Sequence, residues 1–419
     1  MRYNNVCGWL LLIAVVLGGC QKDNVQPNAE EPVLRQLSVE ERELVTSINS
    51  FAFDLIRDLT EHRPQDNAFF SPYSINLALS MTLNGATSTT LENLHQGLSH
   101  EVMTPLEINK AYSELTPFLQ QLDHRVNFTL ATALWYDRQL HTQPRSQDIL
   151  SAYYQANVSD LAFGRRKSPD VINKWVQEQT QDRITGLVET LDPRASMYVT
   201  SAVQFAGGWT APFQEENTAP GPFHLSDGTT TTTDMMFAPR ADYRLYEDEH
   251  QTIIDIPYGD QQYSMTLLMP REKDSLRSLV RQLDAATFQQ YLSQMDTVSS
   301  RLYVPKFAIE YQAFLKPALS RLGMGVAFSD SANFDRLFLD TKAPVPLSDV
   351  IHKAVITVNE SGTEALSSTV TQAASLPADH SVHVDRSFLF FIRENHTGVI
   401  VFAGRLNHPT AMIKSPITE

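Results

Sequence analysis

From Ala365 to Ala378 the chain carries no charged residue and no glycine, and the run is built from Ala, Ser, Thr, Val, Gln, Leu and one Pro. β-Branched and hydroxyl side chains at this density disfavour a helix. It does not read as a good loop either, since glycine is absent. The run therefore reads as a strand that has not been given a sheet. An unpaired, uncharged strand is an aggregation hazard, so any fold for this chain has to account for what the segment pairs with.

The rest of the chain supplies sheets in its second half. Helical spacing covers Ser38–His62, opened by a capping-box pattern at Ser38 and Glu41. A short apolar strand and a mostly apolar helix follow within Asn67–Ala86, entered at Ser71-Pro72 and ending at Gly85. A helix apolar over most of its surface belongs at the centre of a core. Thr90–Leu98 and Pro105–Leu122 read as further helices, as do Ser151–Tyr154 and Ile172–Val188. Buried strands are expected at Val126–Asp137 and Met197–Phe205. After Trp209 the texture turns to β, with a strand or hairpin over Thr229–Thr233 and a turn at Tyr258-Gly259-Asp260. Helices over Leu276–Met295 and Tyr311–Gly323 are expected to flank a strand at Leu302–Glu310, and two apolar strands close the chain. Helices dominate the first half and strands the second without βα alternation, which predicts an α+β fold in one large domain.

Charge and cysteine content narrow the function. A formal net charge of −15 over 419 residues argues against a phosphate-tracking surface and hence against nucleic acid as partner. The basic cluster Arg165-Arg166-Lys167 reads as a solvated loop. Arg2 and the apolar run after it form a signal peptide, too short to span a bilayer. It ends at Leu17-Gly18-Gly19-Cys20, which resembles the lipobox of bacterial lipoproteins. That resemblance implies cleavage after residue 19 and a lipid on Cys20, and two or more acyl chains give stable anchoring. Residues 20–37 then form a polar tether and 38–419 a single domain. Gln21-Lys22-Asp23-Asn24 resembles a signal for the outer face of the outer membrane, so the expected location is the cell envelope, on a periplasmic or surface-exposed face. With Cys7 removed and Cys20 lipidated, the folded body offers no thiolate for a disulfide or a metal. No Gly-rich phosphate loop, HExxH or GxSxG occurs, and neither cofactor nor metal is expected.

Six blocks then occur in one order: NAFFSPYSINLALSMTLNGA, INKWVQEQTQDRITGLV, AGGW with PFQEENT and MMF, LYVPKF, LSDVIHKAVITVNESGTEA, and FLFFIRENHTGVIVFAGRLNHP. Together they resemble the serpin family from about residue 40 to Pro409. The resemblance implies a fold of three β-sheets and about nine helices with an exposed reactive-centre loop, here about residues 360–384. It implies a monomeric protease inhibitor that is a suicide substrate and not an enzyme. A target protease cuts the loop and forms an acyl-enzyme, and the loop then inserts into the large sheet A and carries the protease away.

On this resemblance the uncharged run is the strand held in reserve. Glu360, Gly362, Thr363, Glu364 and Ala365 match the hinge, where glycine pivots at low steric cost. Alternate side chains would enter the sheet core: Thr363, Ala365, Ser367, Thr369, Thr371 and Ala373, all small and uncharged, with Leu366 on the outward parity. By register the reactive bond is Leu376–Pro377, Leu376 lying fourteen residues after Gly362. Proline on the leaving side suits few serine proteases, so cleavage at Ala374–Ser375 or Ser375–Leu376 stays open. Small residues there point to elastase-like, subtilisin-like or papain-like targets. His352 could suggest catalysis, but the resemblance puts it with Ser71, Ser74 and Ser201 in a buried cluster, the shutter, beneath sheet A. Here Ser201 stands where the family has Asn, and the shorter side chain is expected to leave a hydrogen bond to water. Gln204 and Ala206 replace the family's Tyr and Lys. A carrier or surface-binding role is the competing function.

Overall fold

The computed structural model describes residues 34–271, 276–339, 341, 343–363 and 380–409, and the backbone of 415–416. The chain opens with α1 (Val39–His62), whose Ser38 and Glu41 form the expected reciprocal cap. Arg35 pairs with the buried Glu41 and lies 4.7 Å over the Phe118 ring, which fixes the entry of the chain. Strand β1 (Ala68–Phe70) leads through Ser71 into α2 (Pro72–Leu83), buried along its whole length as its composition requires. Helices α3 (Ser88–Gly97) and α4 (Pro105–Gln121) follow. Then come β2 (Val126–Asp137), β3 (His141–Thr142), α5 (Pro144–Tyr154), β4 (Asn157–Leu161), α6 (Ser168–Gln179) and β5 (Met197–Gly208).

The second half is mostly strand. It comprises β6 (Ala219–His224), the 18-residue β7 (Thr230–Glu247), β8 (Gln251–Tyr258) and β9 (Tyr263–Pro270). Helices α7 (Leu276–Gln282) and α8 (Ala285–Ser293) precede β10 (Asp296–Pro305) and β11 (Phe307–Phe314). After the one-turn α9 (Lys316–Leu319) come β12 (Phe338–Leu339), β13 (Leu347–Asn359), β14 (Gly362–Thr363) and β15 (His380–His383). β16 (Phe388–Glu394), β17 (Ile400–Leu406) and β18 (Ser415–Pro416) complete the strands.

Among the described residues these make nine α-helices and three sheets. One sheet runs β1-β17-β16-β9-β8-β7-β10-β15, with β6 also on β7. The other large sheet runs β18-β11-β13-β14-β5-β2-β4, and β12 pairs with β3 alone. Helix α2 packs against β5 of one large sheet and β17 of the other, so the main core lies between them. There Phe69 stacks on Phe390 and Phe402 at 5.7 and 5.0 Å. A second core covers the opposite face of the seven-stranded sheet. It is built from Ile172, Val176, Ile184 and Leu187 over Ala133, Trp135, Ala202 and Ile351. No helix among the described residues is long and apolar enough to cross a membrane.

Four helical expectations need correction. Leu276–Met295 is two helices, because Asp284 leaves helical geometry to cap α8 and accepts from the Thr287 amide at 2.7 Å. Tyr311–Phe314 is strand, since pairing with β13 overrides the local pattern, and only Lys316–Leu319 is α-helical. The strand expected at Leu302–Glu310 breaks at Lys306 into β10 and β11, which belong to different sheets. Ile172–Val188 stops being helical at Gln179, where Gln181 and Asp182 turn left-handed. Residues 180–196 are instead a connector that crosses the sheet to β5. Finally, the helix ending at Tyr154 starts earlier than expected, at Pro144.

Candidate functional site

Strands β13 and β5 lie parallel and directly paired from Leu347 opposite Met197 to Val355 opposite Gln204. Beyond that point they part, and β14 occupies the gap. Gly362 faces Asn359 and Gly208, and Thr363 faces Val358 and Gly207, antiparallel to both neighbours. Asn359 makes the reversal possible: its side-chain carbonyl accepts from the amides of Ser361 and Gly362 at 3.0 and 3.2 Å. Glycine is required at 362, where φ is +146° and a Cβ would stand 2.2 Å from the Gly207 carbonyl oxygen.

The first two residues of the expected loop insertion are thus strand residues already. Thr363 is fully buried, with its hydroxyl 2.6 Å from that of Tyr258. Tyr258 stacks on Trp209 at 4.4 Å, and both rings are inaccessible to solvent. Trp209 closes the mouth from its other side. Its indole N–H donates to the Asn359 carbonyl and its amide to that of Ser361, each at 2.9 Å. The Glu360 carboxylate accepts from the Thr218 hydroxyl at 2.7 Å and pairs with Lys306 at 3.0 Å. Burial opposes its charge, but these two partners outweigh burial and hold the carboxyl below its ordinary value.

Beneath the seam the structure brings Ser71, Ser74, Ser201 and His352 together, all fully buried. The Ser71 amide donates to His352 Nε2 at 3.1 Å, which leaves the ring proton on Nδ1. Nδ1 then donates to Ser201 Oγ at 3.1 Å, and Ser201 Oγ lies 2.5 Å from Ser74 Oγ. The Ser71 hydroxyl accepts from the Ser74 amide and donates to the Val401 carbonyl. Ser201 reaches both neighbours despite its short side chain, so the expected hydrogen bond to water is not needed there. Burial lowers His352 to about 3, and no carboxylate among the described residues contacts the ring. With both nitrogens engaged by Ser71 and Ser201 and the ring fully buried, His352 is held as part of a hydrogen-bonded cluster.

Above the seam a lysine does what the sequence reading missed. Lys353, in the middle of β13, is 3% exposed. Its ammonium donates to the carbonyls of Thr185 and Gly186 at 2.7 and 3.3 Å and pairs with Glu310 at 2.7 Å. It ties β13 to the connector that crosses the sheet. The available signal was a charge within the apolar run DVIHKAVITV. Tyr258, read only as a turn residue, and Trp209, Thr218 and Lys306 were missed because their roles arise from strands distant in sequence.

At the far end of the loop, β15 lies parallel on β10, with His380 paired to Glu247 at 2.9 Å and to Ser300 at 3.0 Å. Cys20, Glu364, Ala365, Ser367, Thr369, Thr371, Ala373, Ala374, Ser375, Leu376 and Pro377 lie outside the described residues.

The geometry defines a class: a protein whose loop leaves one strand, turns back into the seam beside it, and rejoins the body at the edge of another sheet. Residues 46–409 match the family model described as serpin (serine protease inhibitor), and the chain belongs to the serpin family. It is 33% identical over 379 residues to iripin-5 of Ixodes ricinus, covering 88% of this chain and 95% of that protein. It is 29% identical over 372 residues to the leukocyte elastase inhibitor of Bos taurus, covering 86% and 97%. Among solved structures, the native state of tengpin, a thermophilic serpin, superposes with a TM-score of 0.81 at 25% identity, covering 89% of this chain and 95% of that one. Human thyroxine-binding globulin complexed with thyroxine gives 0.81 at 25% identity, covering 89% and 100%.

Proposed function

We propose that this chain inhibits proteases as a suicide substrate. One observation carries the reading: Thr363 is seated between β13 and β5, so the insertion has its first pairs formed. Attack on the loop carbonyl gives an acyl-enzyme and frees the amine-side segment. The acyl-bearing segment then zips down the seam from Thr363, displacing the direct β13–β5 pairs one by one, and draws the protease with it. Strand pairing on two sides replaces pairing on one, which drives the step. Small residues at Ala374 and Ser375, with Leu376, suit elastase-like, subtilisin-like or papain-like enzymes, with Leu376–Pro377 as the bond by register. A lipid on Cys20 would hold this monomer at the cell envelope, on the outer membrane.

A carrier role is the second reading. It is favoured by Pro377 and by the likeness to a globulin solved with bound thyroxine.

Incubation with elastase and subtilisin is expected to give an SDS-resistant complex of about the summed masses. A Thr363→Arg variant, which cannot bury its first inserted side chain, is expected to be cut without forming one. Run on the full-length chain, the complex partitions into a cloud-point detergent, and Cys20→Ala moves it to the aqueous phase. Loop cleavage without complex across serine and cysteine proteases sinks the inhibitor reading in favour of the carrier. Aqueous partition of the unmodified chain sinks the anchor.

A further inference from the structure

Three strands next to the loop's exit carry a row of rings on one face. In β15, Val382 is buried opposite Leu302 of β10, so Ser381 and His383 point outward. His383 is exposed and stacks on Tyr303 at 4.2 Å, and Tyr303 stacks on Phe237 of β7 at 4.5 Å. Tyr303 and Phe237 are half-buried. Arg301, on the outward parity beside Tyr303, has a buried Nε with no hydrogen-bond partner and no ion pair among the described residues. Further along the same face Arg240 donates to the Ser299 hydroxyl at 2.7 Å, and Asp242 lies opposite Ser299.

A cross-strand ring ladder stabilises a sheet by itself, but that does not account for an unpaired guanidinium nitrogen beside it. Rings together with arginine are the composition of interface anchors. The position completes the argument. His380 lies only four residues after Leu376, a reach of at most about 14 Å. A standard interface buries about 800 Å² per partner, so a protease closed over that bond extends across β15.

We propose that Phe237, Tyr303, His383 and Arg301 form a secondary docking surface for the target protease. They would receive an acidic, partly apolar rim beside the leaving-group side of its cleft. The inference rests on the inhibitor reading. The surface acts in the encounter that precedes acylation, so it sets the rate of capture and not the fate of the acyl-enzyme.

The test measures association rate constants and stoichiometry of inhibition for a panel of elastase-like and subtilisin-like proteases of differing net charge. For acidic members, Arg301→Glu is expected to lower the rate constant by about tenfold and to flatten its salt dependence. For basic members the rate constant is expected to rise. His383→Ala, at the exposed end of the row, lowers it for all members, with stoichiometry unchanged in both variants. Rate constants equal to the unmodified chain's, with complex still forming, overturn the docking surface alone. Absence of complex with the unmodified chain overturns the inhibitor reading and this surface with it.

Discussion

Single residues set the conditions under which the seam stays shut. His352 is neutral, held by the Ser71 amide on one nitrogen and Ser201 on the other. Its native value of about 3 lies below the ordinary 6.5. The unfolded chain therefore binds a proton first as pH falls, and stability is full above about 6.5 and declines below it. Between pH 6.5 and 5 this one group costs about 2 kcal/mol. His100, also lowered to about 3 by burial, adds a parallel slope. Asp349 works the other way: burial raises it to about 6, so its contribution is present at low pH and lost as pH rises through 6. Comparison with His352→Gln isolates the first term, since glutamine can accept from Ser71 and donate to Ser201. The variant's melting temperature is expected to fall less than the unmodified chain's between pH 7 and pH 5. Equal falls would show that His352 is not the group that titrates.

At the scale of elements, the connector from α6 to β5 is the part that a strand inserting as proposed would have to pass. Lys353 pins it to β13 through two carbonyls, and its other partner, Glu310, is 38% exposed in its side chain and can be rehydrated. Lys353→Met keeps the volume and removes the latch. Hydrogen bonds from a charged donor contribute about 1.5–3 kcal/mol each, so losing them should speed opening by about tenfold or more. The measurement is annealing of a synthetic peptide with the sequence of residues 363–376 into the seam, followed by mobility in a non-denaturing gel. Unchanged or slower annealing removes Lys353 from that role. The same elements show what was legible beforehand. Apolar runs such as Phe388–Glu394 and the fully buried α2 declared themselves by composition. Boundaries at Asp284, Lys306 and Gln179 did not, because a cap, a change of sheet and a left-handed turn were decided by tertiary partners. The seam cluster was legible through the family resemblance, whereas the Trp209–Tyr258 mouth and Lys353 needed the three-dimensional neighbours.

For the whole molecule, the inhibitor reading makes the sheet one strand short of its best pairing. β13 and β5 satisfy each other directly below Val355 and Gln204, and above that point two residues of β14 show what a full strand would do. Nicking an ordinary exposed loop leaves stability unchanged or lowers it. Here a cut past Ala373 would release the run that begins at Thr363, and its alternate positions carry only Thr, Ala and Ser, which fit a core without a charge to bury. A net gain of about 5 kcal/mol would raise the melting midpoint on the order of 10 °C for a domain of this size. Limited digestion in the loop should therefore raise the midpoint in a thermal scan, while Thr363→Arg, digested alongside, should show little of the rise. A fall on cleavage of the unmodified chain would mean that the seam accepts β14 and nothing more, and the uncharged run would then need another partner.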